Sequence, residues 1–343
     1  MTTGIVKDDR YLAHNRGAGH IEGPERLEAV HARIERGLLL PYTFIEPRPA
    51  AREELEYVHA PEYVDFIARM DGKRYVEIDP DTSMTAGSYE AALLAAGGAI
   101  LAADKILDGE VRNGFALVRP PGHHAERGRA AGFCLFNNAA IAAEHLLRRR
   151  GLSKVLIADW DLHHGNGTQN AFYARRDALY FSTHRYPFYP GSGHWSETGA
   201  GEGDGFTVNV PLAAAKTNED YLYIYKNILG PIAAAFRPEF ILVSAGFDIY
   251  AGDPLGGMAV TAEGFGALAA EVLKTAGESA QGRILFILEG GYDPGGLADG
   301  ILQVLAQASG QAGPARVEAA ASPQARLELK PAIDIQKKFW PLQ

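Results

Sequence analysis

Five short apolar runs lie along the chain, and each stops abruptly at polar or glycine-rich residues. They are rich in Val, Ile, Leu and Phe and do not alternate with polar residues, which is typical of strands buried on both faces of a sheet. We predict strands over residues 114–118, 155–158, 178–181, 240–243 and 284–288.

Helix-like segments separate these runs. The hydrophobic spacing predicts helices over residues 89–107, 137–149, 218–236 and 261–276. Strands that alternate with helices need crossover connections, so the sheet is expected to be mostly parallel with helices on both faces. The predicted fold class is α/β, with three layers in the order α/β/α.

The two ends of the chain are less regular. The pattern predicts a helix from Pro24 to Arg36 and another over residues 61–70. Residues 307–331 are rich in Ala, Gly and Pro, and we predict a loop or a frayed helix there. Because only residues 332–343 follow, this stretch is not interpreted as a domain linker. We expect one domain over residues 1–343, although length alone suggests two.

Composition narrows the class of protein. The chain has 343 residues, 47% of them hydrophobic, and a net charge of −9, which argues against a general binder of nucleic acid. Its single cysteine excludes a disulfide framework and a Cys-rich metal site. With no signal-peptide pattern and no apolar run of about 18 residues, we expect a cytoplasmic protein without membrane partners.

Polar side chains follow each predicted strand. The carboxyl ends of parallel strands meet at one edge of a sheet, where ligands bind. The chain therefore predicts one rim that carries carboxylates, imidazoles and a phenol. These side chains are His123, His124, Asp159, Asp161, His163, Ser182, His184, Asp248 and Tyr292.

The segment from Asp159 to His163 suggests a metal site. In an extended backbone the alternate residues 159, 161 and 163 share one face. Asp161 and His163 could then bind one cation together with Asp248 from another strand. Three protein ligands leave a position open for water and substrate, as in catalytic zinc sites. The alternative is a set of ordinary capping and loop carboxylates.

Two adjacent imidazoles, His123 and His124, follow a Pro-Pro-Gly turn. We interpret them as general acid and base catalysts beside the metal, oriented by Asp159 and Asn166. A buried Asp stabilises an imidazolium, whereas an Asn can only form a hydrogen bond with the ring. The alternative is that one of the two is a semi-buried histidine with no catalytic role.

Tyr292 follows two glycines that allow its phenol to turn inward, where it could stabilise an oxyanion. A tyrosine packed under a loop is the alternative. Phe133 and Tyr189 could line a narrow channel. Cys134 lies among apolar residues, so we interpret it as a buried structural cysteine.

Several segments together resemble zinc-dependent deacetylases of the histone deacetylase and acetylpolyamine amidohydrolase superfamily. The Asn in HHGNGTQ and the sequence EGGY resemble the class II branch. The matching segments are HIEGPERL (20–27), VRPPGHHAERGRAAGFCLFNN (118–138), ADWDLHHGNGTQ (158–169), SAGFDIYAGDPLGG (244–257), LEGGYD (288–293) and IQKKFW (335–340).

The resemblance implies an arginase-like three-layer α/β/α fold and a role for each matching residue. It implies that His124 transfers protons, that His123 is an electrostatic partner backed by Asp159, that Asn166 supports His124 and that Tyr292 binds the scissile carbonyl. It also implies zinc bound by Asp161, His163 and Asp248. A structural potassium is expected near Asp159, Asp161, His163 and Ser182.

The resemblance also implies a tunnel for an acylated lysine, lined by Gly132, Phe133 and Tyr189. Leu255 stands where the polyamine-selective branch has an acidic residue, which favours acetyl-lysine in peptides or proteins over acetylated polyamines. Many members have Phe where Tyr189 stands. A homo-oligomer is possible. An arginase-type ureohydrolase with two manganese ions is a further alternative, but Gly165 stands where that family needs another Asp.

Overall fold

The computed structural model describes residues 2–37, 42–313 and 317–343. An eight-stranded sheet runs through the molecule in the order β2-β1-β5-β10-β9-β6-β7-β8, and all its neighbouring strands are parallel. Its strands are β1 (Thr3–Val6), β2 (Tyr42–Ile45), β5 (Asn113–Ala116), β6 (Val155–Asp159), β7 (Ala178–Arg185), β8 (Thr207–Leu212), β9 (Phe240–Ala245) and β10 (Ile284–Leu288). A separate antiparallel hairpin pairs β3 (Tyr75–Asp79) with β4 (Thr82–Thr85).

Helices pack on both faces of this sheet. On one side α10 packs against α1 and against α9, and on the other α4 packs against α5. The helices are α1 (Glu25–Gly37), α2 (Arg52–Leu55), α3 (Pro61–Ala68), α4 (Ser88–Leu107), α5 (Asn138–Arg148), α6 (Asn166–Phe172), α7 (Asn218–Ile224), α8 (Gly230–Phe236), α9 (Ala262–Ser279), α10 (Pro294–Ala308) and α11 (Pro323–Gln336). Among the described residues, no helix is both long enough and apolar enough to cross a bilayer.

The predicted α/β/α fold with a mostly parallel sheet is confirmed, and the five predicted strands are β5, β6, β7, β9 and β10. The largest difference between a predicted and an observed strand boundary concerns β7. Strand β7 continues to Arg185 because β8 pairs with it from Tyr180 onward. Ser182 and His184 therefore lie inside the strand and not beyond its end.

The helix predicted over residues 218–236 is interrupted. Between α7 and α8 the backbone forms one π-helical turn, Tyr225–Leu229. Pro231 follows at the second position of α8 and has no N–H to donate. Gly230 N donates to Tyr225 O five residues back, so the helix is locally wider just before the position that lacks a donor.

Residues 307–331 were predicted as a loop or a frayed helix, and residues 323–331 belong instead to a regular helix with a capped N-terminus. Helix α11 begins at Pro323, and the Ser322 hydroxyl caps it by accepting a hydrogen bond from Ala325 N. The helix packs against β8 and buries Leu329. Its polar composition and its internal proline, Pro331, concealed the helical pattern, and the strand that it covers was not predicted either.

Candidate active site

Four strands at the centre of the sheet, β5, β10, β9 and β6, are direct neighbours. Their carboxyl ends therefore meet, and the segments that follow them bring together side chains far apart in sequence. His123 and His124 follow β5, Tyr292 follows β10, and Asp248 follows β9. Asp161 and His163 follow β6.

Three metal-ligating side chains converge at this edge. One ligand atom from each of Asp161, His163 and Asp248 lies within 4.8 Å of the other two, and all three residues are buried. His163 Nδ1 lies 3.1 Å from Asp161 Oδ1 and 3.0 Å from Asp248 Oδ2. The main chain orients both carboxylates, because Leu162 N donates to Asp248 Oδ1 and Gly290 N donates to Asp161 Oδ2, each at 2.8 Å.

The donor set fits a divalent cation. Two carboxylates and one imidazole are the ligand types of a zinc site with an open position. Gly290 makes this approach possible, because a Cβ there would lie 2.5 Å from Asp248 Oδ2 and 2.6 Å from Asp161 Oδ2. Two buried carboxylates so close together need a positive charge between them.

The closeness of the buried carboxylates also shifts the pKa values within this group. Burial lowers the pKa of His163, but hydrogen bonds to Asp161 and Asp248 outweigh burial and raise it to about 9. Burial and the neighbouring Asp161 carboxylate raise the pKa of Asp248 to about 7. The cluster therefore favours an added positive charge, which a proton or a metal ion can supply.

The two adjacent histidines have different partners. His123 Nδ1 lies 3.1 Å from Asp159 Oδ2, whereas His124 Nδ1 lies 2.8 Å from Asn166 Oδ1. The two ring centroids are 4.0 Å apart, and both rings are buried. One imidazole is thus paired with a carboxylate and the other with a neutral amide.

This difference separates their pKa values. Burial lowers the pKa of His123, but the carboxylates of Asp161, Asp159 and Glu289 raise it to about 10. For His124, burial and the positive charges of His123 and His163 together lower the pKa well below 6.5. The carboxylates therefore favour the cationic form of His123, whereas the surroundings of His124 favour its neutral form.

Glu289, which the sequence reasoning missed, fixes the turn that carries both histidines. Its Oε2 accepts hydrogen bonds from Gly122 N at 2.6 Å and from His123 N at 3.1 Å. Its carboxyl group is buried, and burial raises its pKa to about 7 although the nearby His123 cation opposes the shift. Glu289 directly precedes Gly290 in the LEGGYD segment, so its place at a strand end was the signal that could have identified it.

Tyr292 is held at the opposite side of the site by two further residues without a role in the sequence analysis. Asp253 Oδ2 accepts a hydrogen bond from Tyr292 N at 2.6 Å. Arg26 donates to Gly291 O at 2.5 Å, and its guanidinium lies 5.0 Å from the centroid of the Tyr292 ring. Burial raises the pKa of Tyr292 well above 10, so its phenol stays protonated as a donor.

A narrow cavity of about 240 Å³ leads to these groups. The four residues expected to contact substrate all line it, together with His124, His163 and Tyr292. Asp81 and Phe188 line it as well and were not anticipated. The complete lining is Asp81, His124, Gly132, Phe133, His163, Phe188, Tyr189, Leu255 and Tyr292.

The aromatic walls are in contact with the histidines. The Phe188 ring stacks on His163 with centroids 5.6 Å apart, and Tyr189 lies edge-on to His124 at 5.0 Å. Gly132 has a φ of +55° and packs directly on the His124 ring, where a Cβ would lie 2.2 Å from Cδ2. A side chain at this position would displace the imidazole.

Two other expectations concern residues beside the site. Ser182 is the register partner of Asp159 across β6 and β7, and its hydroxyl lies 2.9 Å from His184 Nδ1. The potassium site at Asp159, Asp161, His163 and Ser182 stays a prediction. Cys134 is buried, and burial raises the pKa of its thiol well above the usual value, as a structural cysteine requires.

The fold and the site are those of a hydrolase, with two histidines, a tyrosine and a group of potential metal ligands at one edge of the sheet. The model of a protein family described as "Histone deacetylase domain" matches residues 20–308 of the chain. The chain is 42% identical to a probable deacetylase of Archaeoglobus fulgidus, over 85% of this chain and 82% of that protein.

Eukaryotic histone deacetylases are also similar to the chain. The chain is 39% identical to histone deacetylase 15 of Arabidopsis thaliana, over 99% of this chain and 63% of that protein. It is 38% identical to human histone deacetylase 9, over 87% of this chain but only 33% of that protein. The chain therefore spans less than two thirds of these longer relatives.

A solved structure, the crystal structure of the HDA15 HD domain, superimposes with a TM-score of 0.92. The two are 38% identical, and the superposition covers 99% of this chain and 95% of that one. The chain belongs to the histone deacetylase family, and its enzyme class is that of a deacetylase.

Proposed function

We propose that this protein is a metal-dependent amidohydrolase that removes acetyl groups from the side chains of lysines. The observation that carries the proposal is that His124, Tyr292 and His163 line one cavity, and that His163 is grouped with the buried carboxylates of Asp161 and Asp248. Amide hydrolysis needs these functions together: an activated water, a polarised carbonyl and a proton for the leaving amine.

Asp161, His163 and Asp248 would hold one zinc ion. Bound there, zinc would supply Lewis acidity to the amide carbonyl and to the attacking water. A second metal has no comparable place, since this is the one group of three potential ligands within the described residues. That observation, together with family membership, argues against the two-manganese ureohydrolase.

His124 would act as the general base and then as the general acid. Its ring lines the cavity, and its Nδ1 is engaged by Asn166, which leaves Nε2 for the reaction. His123, paired with Asp159, would keep a fixed positive charge 4.0 Å away and stabilise negative charge that develops on the substrate.

Tyr292 would donate a hydrogen bond to the carbonyl oxygen as that oxygen becomes negative. Its phenol shares the cavity wall with His124 and His163. The hydrogen bonds that Asp253 and Arg26 form with residues 291–292 fix the backbone at this point. A preorganised donor of this kind stabilises a transition state without reorganisation during the reaction.

The shape of the cavity favours a narrow, largely apolar substrate arm. Phe133, Phe188 and Tyr189 form aromatic walls, and Leu255 places an apolar side chain in the same lining. The methylene chain of an acetylated lysine matches such walls, and its neutral amide would reach the polar groups at the base.

An acetylated polyamine is the second candidate substrate, because Asp81 also lines the cavity. Its Oδ1 accepts hydrogen bonds from Gly132 N at 2.9 Å and from the Thr82 hydroxyl at 2.7 Å. The same carboxylate could pair with a secondary ammonium. Leu255, in contrast, contributes no charge.

A parallel assay decides between the two. Zinc-reconstituted protein is given acetyl-lysine peptides and acetylated polyamines, and we expect the higher kcat/KM for the peptides. Leu255→Glu should shift the preference toward polyamines, because it adds an anion to the cavity wall. Higher activity of the unmodified protein on polyamines would overturn the lysine assignment, and no hydrolysis of either would overturn the proposed function.

A further inference from the structure

Glu126 lies next to the catalytic groups but does not line the cavity. Asn166 connects it to the general base, since Asn166 Nδ2 donates to Glu126 Oε1 at 2.7 Å and Asn166 Oδ1 lies 2.8 Å from His124 Nδ1. Three side chains thus form one hydrogen-bonded row from the surface to the site.

The chemistry of the two ends fixes the direction of the amide between them. A carboxylate has acceptor atoms only, so Asn166 must turn its NH₂ group toward Glu126 and its oxygen toward His124. An amide oxygen also only accepts, so the proton of the neutral His124 ring resides on Nδ1. Nε2 is then the nitrogen with a free lone pair.

We propose that Glu126 is a positioning residue that sets the tautomer of His124 by orienting the Asn166 amide. The inference rests on the proposed role of His124 as the base. With the amide reversed, its NH₂ group would face His124 Nδ1, the proton would move to Nε2, and the ring could not accept a proton from water.

The backbone around Glu126 is held firmly enough for this role. The peptide N–H of Glu126 donates to Arg129 O at 2.9 Å, and its carbonyl oxygen accepts a hydrogen bond from His59 Nδ1 at 2.8 Å. His59 in turn accepts a hydrogen bond from Asn137 N at 2.9 Å. The carboxylate therefore projects from a fixed turn.

Helix α6 is docked on the same turn, which places Asn166 between its two partners. Thr168 N donates to His123 O at 3.2 Å. Gly167 packs against the carbonyl of Ala125 so closely that a Cβ would lie 2.3 Å from that oxygen. The first turn of α6 cannot withdraw from the segment that carries His124 and Glu126.

Two single variants measure the role. Glu126→Ala frees the amide and should lower kcat about tenfold, the usual effect of losing an outer partner, with KM unchanged because the cavity wall is intact. Glu126→Gln keeps an acceptor oxygen, so its kcat should fall less than that of Glu126→Ala. Glu62→Gln, at an exposed position on α3, is the matched control and should leave both constants unchanged.

A double variant separates positioning from mere structural support. Asn166→Asp sets two carboxylates against each other, whereas Glu126→Gln supplies an NH₂ donor to the new carboxylate. We expect the double variant to be several times more active than Asn166→Asp alone, although Glu126→Gln lowers the activity of the wild type. Equal loss from Glu126→Gln in both backgrounds would overturn the proposal.

A spectroscopic measurement does not depend on turnover. In zinc-loaded protein with ¹⁵N-labelled histidine, long-range N–H correlations show which ring nitrogen of His124 carries the proton. We expect Nδ1 in the wild type and a mixture with Nε2 in Glu126→Ala. An unchanged Nδ1 signal in that variant would overturn the inference. Absence of hydrolysis in the wild type would instead overturn the proposed function. The spectra would still show whether Glu126 sets the tautomer of His124.

Discussion

The surroundings of His123 and of His124 differ sharply although the two residues are adjacent. His123 faces the buried carboxylates of Asp159, Asp161 and Glu289, whereas His124 faces the amide of Asn166 and the edge of an aromatic ring. The pKa of the first rises to about 10, and that of the second falls well below 6.5. One turn of the chain thus holds an imidazole with a raised pKa beside an imidazole with a lowered pKa.

The comparison shows how the fold assigns roles to identical side chains. His123 is directed toward the end of β6, where carboxylates accumulate, and His124 toward the first turn of α6, where the partner is neutral. The charge of each imidazole follows from which neighbouring element it meets. Substitutions on either side therefore test the account.

The largest effect is expected for His124→Ala, which removes the proposed base. The value of kcat on an acetyl-lysine peptide should fall by about 10³, within the usual range for general acid–base catalysis. His123→Ala should cost less, since it removes a stabilising charge and no proton transfer. A larger loss of kcat in His123→Ala than in His124→Ala would contradict the roles proposed for the two histidines.

Tyr292→Phe removes the donor that faces the histidine pair across the cavity. We expect kcat to fall by about 10²–10³, as for loss of an oxyanion donor. Zinc content, measured by atomic spectroscopy, should not change. Tyr75→Phe on the exposed hairpin strand β3 is the control. Equal kcat for Tyr292→Phe and wild type would remove the oxyanion role.

Asp159→Asn makes the surroundings of His123 resemble those of His124. Loss of one of the carboxylates around His123 should lower kcat about 10- to 100-fold, as is common for an outer partner of a catalytic group. Circular dichroism and metal content report whether the fold persists. Full activity in a folded, metal-loaded variant would show that the charge of His123 does not matter.

The sequence predicted the central strands and the residues of the site because both leave local signals. Buried parallel strands are uninterrupted apolar runs, as in β9 and β10, and the polar residues after them, such as Asp248, occupy a predictable edge. Strands β1, β2 and β8 do not stand out as buried runs, because Gly4 interrupts β1, Thr43 interrupts β2, and Asn209 and Pro211 interrupt β8. Pro331 conceals the helical pattern of α11. The buried residues of this helix pack against β8, a strand that was not predicted.

The supporting residues were harder to predict, because their roles depend on long-range contacts. Arg26 meets Gly291 across 265 residues of chain, and Glu289 meets Gly122 across 167. Nothing in their local sequence shows which partner each one finds. Arg26 occurs in a segment that carried the family resemblance, but its contact with Gly291 depends on the fold.

A smaller effect is expected for Asn166→Asp, which brings the surroundings of His124 closer to those of His123. A carboxylate beside the ring stabilises the imidazolium, so the pKa of His124 rises. Since the neutral ring is the proposed base, the acidic limb of the pH–rate profile should move upward by about one pH unit. An unmoved limb would show that residue 166 does not act on His124.

The last effect concerns stability and not turnover, at a histidine outside the catalytic pair. Burial lowers the pKa of His59 from 6.5 to about 4. The stability contributed by its neutral ring is therefore present above pH 6.5 and is lost as the pH falls from 6.5 toward 4, by about 1.4 kcal/mol per pH unit. In urea unfolding, the free energy of unfolding of His59→Gln should depend less on pH than that of the wild type. The same pH dependence in both proteins would contradict the assignment.

The central claim is that one divalent ion, held by Asp161, His163 and Asp248, is required for amide hydrolysis. Titration of metal-stripped protein with zinc tests it most directly, with bound metal and deacetylase activity followed in the same samples. The account predicts that activity rises in proportion to zinc and stops rising at one ion per chain. Undiminished hydrolysis by the stripped protein, or a requirement for two ions, would contradict it.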